Sequence, residues 1–395
     1  EIDAYYDGFS NGSLWPILHY NPHLMEYDGV QWDVYKEVNQ RFADSILEMV
    51  TDDDLVWVHD YHLMLVPEML RAARPTLHVG FFFHTPFPSS EVFRSHPRRS
   101  ELLQGVIGAD QIGFHTYGYL RHFRSSVLRV LGLEAEFGSI RHGNHLSSLG
   151  VYPIGINSSK FIEERQSTLF QERCAELRQH WSGRRLVLSV ERLDYSKGIL
   201  QRLQAIEKFL DHGERDNDVV FLFINVPSRE KVPAYKALLR KIESYVSRIN
   251  GKYGTIENAP IHFIHQSVDF TELCALYTIS KVAMVTPLVD GMNLVAKEYL
   301  VCQDEDDPGV LMLSEFAGAA QELVNAVIVN PFNATQMAKG IDTSLNMPLA
   351  ERRDRVNKMR SRIIEFDANY WARTFIDDLK AQEQFTQSPM SVAES

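Results

Sequence analysis

Short apolar runs alternate with longer stretches of helical periodicity along the whole chain. In the first half the runs are Leu55–His59, Val79–Phe83, Gln111–Phe114 and Val151–Ile154. In the second half they are Leu186–Val190, Val219–Asn225, Ile261–His265, Val282–Val285, Val310–Leu313 and Ala326–Val329. Runs this short, rich in Val, Ile and Phe and apolar on both faces, predict parallel strands covered by helices on both sides. Trp32–Val50 and Ser228–Ile249 carry the spacing of amphipathic helices between them. The alternation predicts an α/β protein of two doubly wound, Rossmann-like domains. Proline and glycine punctuate Tyr152–Asn157, which sets the boundary between a first domain, 1–152, and a second, 153–365. Phe137–Gly150, rich in Gly, Ser, Asn and His, reads as a surface loop, and Arg352–Lys380 as terminal helices kinked near Phe366–Tyr370.

Composition narrows the partners. The chain has 395 residues, 45% hydrophobic and 23% charged, enough for two full cores. Lys+Arg 40 against Asp+Glu 52 leaves a net charge of −12, which argues against nucleic acid or an anionic membrane as partner. No apolar run approaches the ~20 residues a membrane span needs. Cys174, Cys274 and Cys302 are scattered, which favours a reducing, cytoplasmic setting over a disulfide framework or a zinc knuckle.

The stretch Thr286–Glu298 is the most informative. An apolar run, Val282–Val285, meets a turn at Asp290–Gly291 and then a helix reaching about Gln303. Free amides at Met292, Asn293 and Leu294 at such a helix start carry about half a positive charge and suit a phosphate. Asp290 would repel a phosphate, so its expected partner is a sugar hydroxyl. Glu298, two helical turns beyond Gly291, can accept from a further pair of hydroxyls. A diphosphate flanked by two polyols is a nucleotide-sugar. An ordinary strand–turn–helix with Asp as N-cap fits this motif equally well.

Other strand ends carry further candidates. After Leu186–Val190, Arg192 and Lys197 flank a turn closed by Gly198, where both cations can reach one anion. An ion pair with Glu191 or Asp194 is the alternative. Asp60, after Leu55–His59, suits a hydroxyl. His59 and His62 lack a third metal ligand, so no metal site is expected there. His84, entering the stiff Thr85–Pro88 loop, can donate to a sugar hydroxyl or be a satisfied buried histidine, and His115 is expected to be the latter. Tyr6 and Trp15 stack on a sugar or fill a core; the residues alone do not decide. Arg229, after Val219–Asn225, can meet a phosphate. Ser314–Ala320 is a strand end followed by small residues, which allows close packing.

Six stretches, Leu14–Tyr20, Val58–Leu63, His84–Pro88, Glu191–Gly198, Asp290–Val295 and Ser314–Ala320, occur in the order found in a known family. Over them, and from the first residues to about Leu379, the chain resembles the trehalose-6-phosphate synthases, retaining sugar-nucleotide glycosyltransferases of the GT-B type. The resemblance implies two Rossmann-like domains facing across a cleft, with a terminal helix, 366–387, returning to the first. It implies transfer of glucose from UDP-glucose to glucose 6-phosphate, giving α,α-trehalose 6-phosphate and UDP, with no cofactor and no metal. By position, Tyr6, Trp15, Asp60 and Arg229 look like the acceptor site, and Arg192 and Lys197 the diphosphate clamp. Asp290 and His84 would hold the donor glucose. Gly291, Met292, Asn293, Leu294, Val295 and Glu298 look like the uridine-diphosphate segment, and Val268 would offer backbone to the uracil.

Two departures carry expectations of their own. The family has Arg where this chain has Val289, which would alter donor preference, slow catalysis or prove neutral. The sequence also begins downstream of the family's opening strand, glycine-rich loop and an N-terminal Arg. A doubly wound sheet usually holds its first strand centrally, so residues 1–395 alone are expected to be poorly stable and inactive. A relative using another acceptor, of the glycerol 3-phosphate type, and a non-catalytic sugar-phosphate-sensing subunit are the competing readings. Tyr6, Trp15 and Asp60 favour a hexose, and the Arg192/Lys197 pair favours catalysis. A homo-oligomer is left open.

Overall fold

A strand that is apolar on both faces needs cover on both, and this requirement organises the chain. The computed structural model describes residues 1–136, 138–212, 218–229 and 232–386. The chain forms two units, Glu1–Ile154 with the segment from Tyr370 onward, and Gly155–Asn369.

The sheet of the first unit runs in the order β1-β2-β3-β6-β5-β4. β1 (Leu55–His59), β2 (His78–Phe82), β3 (Gln111–Phe114) and β6 (His145–Val151) are parallel, whereas β4 (Ala135–Glu136), β5 (Ser139–His142) and β6 pair antiparallel. Two expectations are corrected here. The stretch read as a loop, Phe137–Gly150, contains β5 and most of β6, while Phe137 itself lies outside the described residues. The strand read at Val151–Ile154 ends at Val151 instead. The reason is common to both. Only Ile140 and Ser147 of this hairpin are fully buried, and Ser147 is held by donating to the Ile107 carbonyl at 2.6 Å. Backbone pairing, rather than an apolar stripe, carries these strands, so the sequence shows no run to find.

The helix Ala368–Thr386 lies on this sheet, bringing Phe375 over Gly80 and Gly113. The Phe375 ring stacks on Trp57 with centroids 4.3 Å apart, and Trp371 tilts against Trp57 at 4.8 Å. Tyr152 donates to Asp378 at 2.6 Å and accepts from Gln111 at 2.8 Å. Residues from the start and the end of the chain therefore complete one core.

The sheet of the second unit is wholly parallel, in the order β12-β11-β10-β7-β8-β9. Its strands are β7 (Arg185–Arg192), β8 (Val219–Val226), β9 (Ile261–Ile264), β10 (Val282–Val285), β11 (Val310–Ser314) and β12 (Val327–Val329). Alternate residues face two separate cores. Leu186, Leu188, Val220, Leu222 and Ile224 pack in one, and Val187, Val219, Phe221 and Phe223 in the other. Burial on both faces explains the unbroken apolar runs. The expected helix Ser228–Ile249 begins at Pro233 and extends to Tyr253, because proline suits the first helical position and cannot follow a helical turn.

Candidate active site

In the second unit the loops after β7, β10 and β11 leave the same edge of the sheet. β7 lies beside β10 while their successors run in opposite directions, which opens a crevice at the carboxyl ends of these two strands. β7 ends at Arg192, and Asp194 caps the turn Tyr195–Lys197 by accepting from the Ser196 N–H at 2.8 Å. Gly198 follows at φ +68°, where a Cβ would lie 2.5 Å from the Thr286 carbonyl oxygen. Only glycine fits both the backbone and the space. The Leu288 N–H donates to the Ser196 carbonyl at 2.7 Å, so the Lys197 turn and the loop 286–290 are joined.

Across that seam Lys197 forms a mostly buried ion pair with Asp290, and Asn293 donates to the same carboxylate oxygen at 2.8 Å. Asp290 is thus held by two donors on its own unit. The loop after β11 braces it from behind: the Gly318 N–H donates to the Asp290 carbonyl at 3.0 Å, and a Cβ at Gly318 would fall 1.8 Å from the Gly291 oxygen. The helix that follows starts at Leu294, two residues later than the sequence suggests, which leaves Met292 and Asn293 in the turn. The amides of Met292, Asn293, Leu294 and Val295 have no protein acceptor among the described residues. Arg192 is exposed, and its side chain makes no ion pair among the described residues. One ammonium, one guanidinium and four amides therefore lie on the chain segments that meet at this crevice. Such a set matches a phosphate chain.

The acids proposed as bland partners for Arg192 and Lys197 are taken by other cations. Glu191 pairs with the buried Arg202, and Asp194 with Arg229. Arg229 accordingly differs from its expected placement as an open phosphate receptor. At φ +51° it turns inward, 4% exposed, with Nη1 2.9 Å from Asp194 and 2.5 Å from the Tyr235 hydroxyl. Glu298 accepts from the Tyr277 hydroxyl at 2.9 Å, and burial raises its carboxyl above the usual range. Val268 lines a cavity of about 560 Å³ with Trp181, Ile264 and Glu272 beside the edge strand β9.

The first unit carries a different cluster. Asp60 follows β1 at φ +67°, is half-buried, and accepts from the His84 N–H at 3.2 Å and the Thr85 hydroxyl at 3.4 Å. Burial pushes its carboxyl up to about 6. His84 Nε2 lies 3.0 Å from His59 Nδ1, and burial beside that ring lowers His84 to about 4. One nitrogen of His84 is thus engaged, and only its other ring nitrogen remains for a ligand. Tyr6 is 42% exposed and stacks on His62 with centroids 5.5 Å apart. Trp15 is buried between His19, at 3.8 Å, and Tyr61, at 5.6 Å, so the structure makes it a core ring of this unit. His115 is buried and accepts from the Ile154 N–H at 3.4 Å.

Sequence reasoning missed Arg202, Tyr235 and Trp371 as members of these clusters, and gave His59 and Thr286 no part in them. An arginine at helical spacing looks like a solvent residue, and no local signal marks it as buried. Among the described residues no group of three or more His, Cys, Asp or Glu side chains is placed to hold a metal ion, and no helix is long and apolar enough to cross a membrane.

The comparisons with known proteins bear on this geometry. The model of glycosyltransferase family 20 matches residues 1–381. The chain belongs to glycosyltransferase family 20. A curated relative from Dictyostelium discoideum, "Alpha,alpha-trehalose-phosphate synthase [UDP-forming] A", is 44% identical over 99% of this chain. The chain spans 53% of that relative's length. Two solved family members align along nearly all of this chain. The synthase from Burkholderia xenovorans, solved in complex with glucose-6-phosphate, has a TM-score of 0.92 and 38% identity, covering 96% of this chain and 84% of its own. The Escherichia coli protein bound with UDP-2-fluoro glucose has a TM-score of 0.93 and 38% identity, covering the same shares. Family 20 membership thus joins the Lys197 turn and the Asp290 loop of the second unit to a glycosyltransferase family.

Proposed function

We propose that the protein transfers glucose from UDP-glucose to glucose 6-phosphate with retention, yielding α,α-trehalose 6-phosphate and UDP. The observation that carries this reading is the turn at Lys197, joined to the Asp290 loop and the unbonded amides of Met292–Val295, in a family 20 chain. The bond from the glucose anomeric carbon to the phosphate oxygen breaks, and the anomeric hydroxyl of the acceptor attacks from the same face. The departing phosphate takes the acceptor's proton. Negative charge grows on the diphosphate, where Lys197, Arg192 and the amides are set in advance to receive it.

Asp290, fixed by Lys197 and Asn293, offers its remaining acceptor capacity to a hydroxyl of the donor glucose. Glu298 takes the ribose hydroxyls, and the backbone at Val268 the uracil. Asp60, Tyr6 and His84 supply hydroxyl and ring contacts to sugar, and Trp15 backs them from the core through Tyr61. A 6-phosphate reaching Arg229 competes with Asp194 for the guanidinium.

UDP release from UDP-glucose, measured with and without glucose 6-phosphate, tests the reading, with the product's linkage read by NMR. UDP release that needs glucose 6-phosphate and gives the α,α linkage supports it. Preference for glycerol 3-phosphate, or binding of sugar phosphate with no UDP release, would replace it by one of the competing readings.

A further inference from the structure

Arg202 lies in the first turn of the helix Ile199–His212, yet only 1% of its side chain is exposed. Its Nη1 donates to both Glu191 oxygens at 2.8 Å and also meets the Ser189 hydroxyl. Nε donates to the Thr286 hydroxyl at 2.9 Å, and Nη2 to the Lys197 carbonyl at 3.0 Å. Asn225 closes the group from β8 by donating to Glu191 at 3.0 Å. One planar cation therefore ties together the end of β7, the Lys197 turn and the first residue after β10. A buried ion pair adds little stability over well-packed apolar side chains, because two ions must leave water to form it. What it does supply is direction: a guanidinium has five donors at fixed angles, and lysine cannot reproduce them.

We infer that Arg202 is a positioning residue, which holds the Lys197 turn against the Thr286–Asp290 loop and so sets the spacing between the Lys197 ammonium and the amides of Met292–Val295. It touches no substrate itself. The inference rests on the glycosyl-transfer reading for its ligand, but not for its mechanics. The Leu288-to-Ser196 hydrogen bond is the local reporter, because it spans the two segments that Arg202 joins.

The test compares the intact protein with Arg202→Lys, which keeps the charge beside Glu191, and with Thr286→Val, which removes one acceptor at nearly constant volume. UDP affinity is read by calorimetry, local order by hydrogen exchange at the Leu288 amide, and global stability by thermal melting. Positioning predicts that Arg202→Lys weakens UDP binding at least tenfold and speeds exchange at Leu288, while exchange in β8 and the melting midpoint stay close to the parent's. Thr286→Val should move the same two readouts in the same direction by a smaller factor, and it serves alone if Arg202→Lys does not fold. UDP affinity within twofold of the parent, unchanged exchange at Leu288, or loss of protection spread evenly over the second unit would each overturn the inference. Failure of the parent to bind UDP overturns the functional reading instead, and the exchange at Leu288 then decides the role of Arg202 by itself.

Discussion

The candidate clusters of the two units treat charge differently. In the second unit charge is kept and paired: Lys197 with Asp290, Arg202 with Glu191, and Arg229 with Asp194. In the Asp60–His84 cluster of the first, burial shifts each group towards its neutral form. Asp60 is raised to about 6, His84 is lowered to about 4, and the neighbours are rings rather than ions. Paired charges can be re-partnered by an incoming anion, whereas a cluster of rings around one carboxyl suits hydroxyls and ring faces. Taken each by itself, the second unit's cluster suits phosphate and the first unit's suits sugar.

Removing a member of a buried pair is the most severe way to probe the second unit's cluster. Asp194→Ala strands Arg229 and Tyr235 and should cost about 3–5 kcal/mol in stability, measured by denaturant unfolding. A loss near zero would show that the pair is dispensable. Lys197→Ala should raise the barrier to UDP release by about 2.7–4 kcal/mol, in line with the loss of one preorganised donor at other sites. Its melting midpoint should fall too, by less than in Asp194→Ala, because Asp290 keeps the Asn293 donor when Lys197 is lost. Arg192→Ala removes an exposed cation, and turnover should fall by the equivalent of about 1.5–3 kcal/mol, the value of a hydrogen bond to a charged group. Normal turnover in either variant would break the link between charge and leaving group.

The first unit is sharpened by pH. His84 has a folded value of about 4 against 6.5 unfolded, so the unfolded chain binds the extra proton and stability falls as pH drops from 6.5 towards 4. Asp60 acts in the opposite sense. Its folded value of about 6 lies above the ordinary 3.8, so its contribution is present at low pH and lost as pH rises through 6. Unfolding curves of His84→Asn between pH 4 and 6.5 should therefore show less acid sensitivity than the parent, and those of Asp60→Asn more. The reverse pattern would show that neither group is dry. The smallest effect is expected from Tyr6→Ala, which loses a ring contact of about 0.5–1.5 kcal/mol and should raise the acceptor KM by up to about tenfold. Equal shifts in the KM for UDP-glucose would contradict a sugar-specific ring.

How much of this was legible follows from where each signal lies. The strands of the second unit were readable because both faces are apolar, and β10 was placed to the residue. The Asp290–Gly291 turn was readable because a strand, a glycine and a helix follow one another within one short segment. Lys197 and Asp290, by contrast, are 93 positions apart, so nothing local announces their pairing. The hairpin of β5 and β6 was hidden because backbone hydrogen bonds leave no hydrophobic pattern. Arg202 was hidden because its partners come from three segments that only the fold assembles. The pairing of Arg229 with Asp194 was hidden for a related reason: they are 35 positions apart, so no local signal joins them.

The helix carrying Trp371, Phe375 and Leu379 has a consequence for how the chain is made. Those side chains complete the layer over Trp57, Phe82 and Tyr152, yet they are synthesised only after all of Gly155–Asn369. During translation the later-encoded sheet can close first, while the earlier one waits with bare aromatic rings for its last piece. A nascent chain halted before Trp371 should therefore recruit holding chaperones at its beginning rather than at its end.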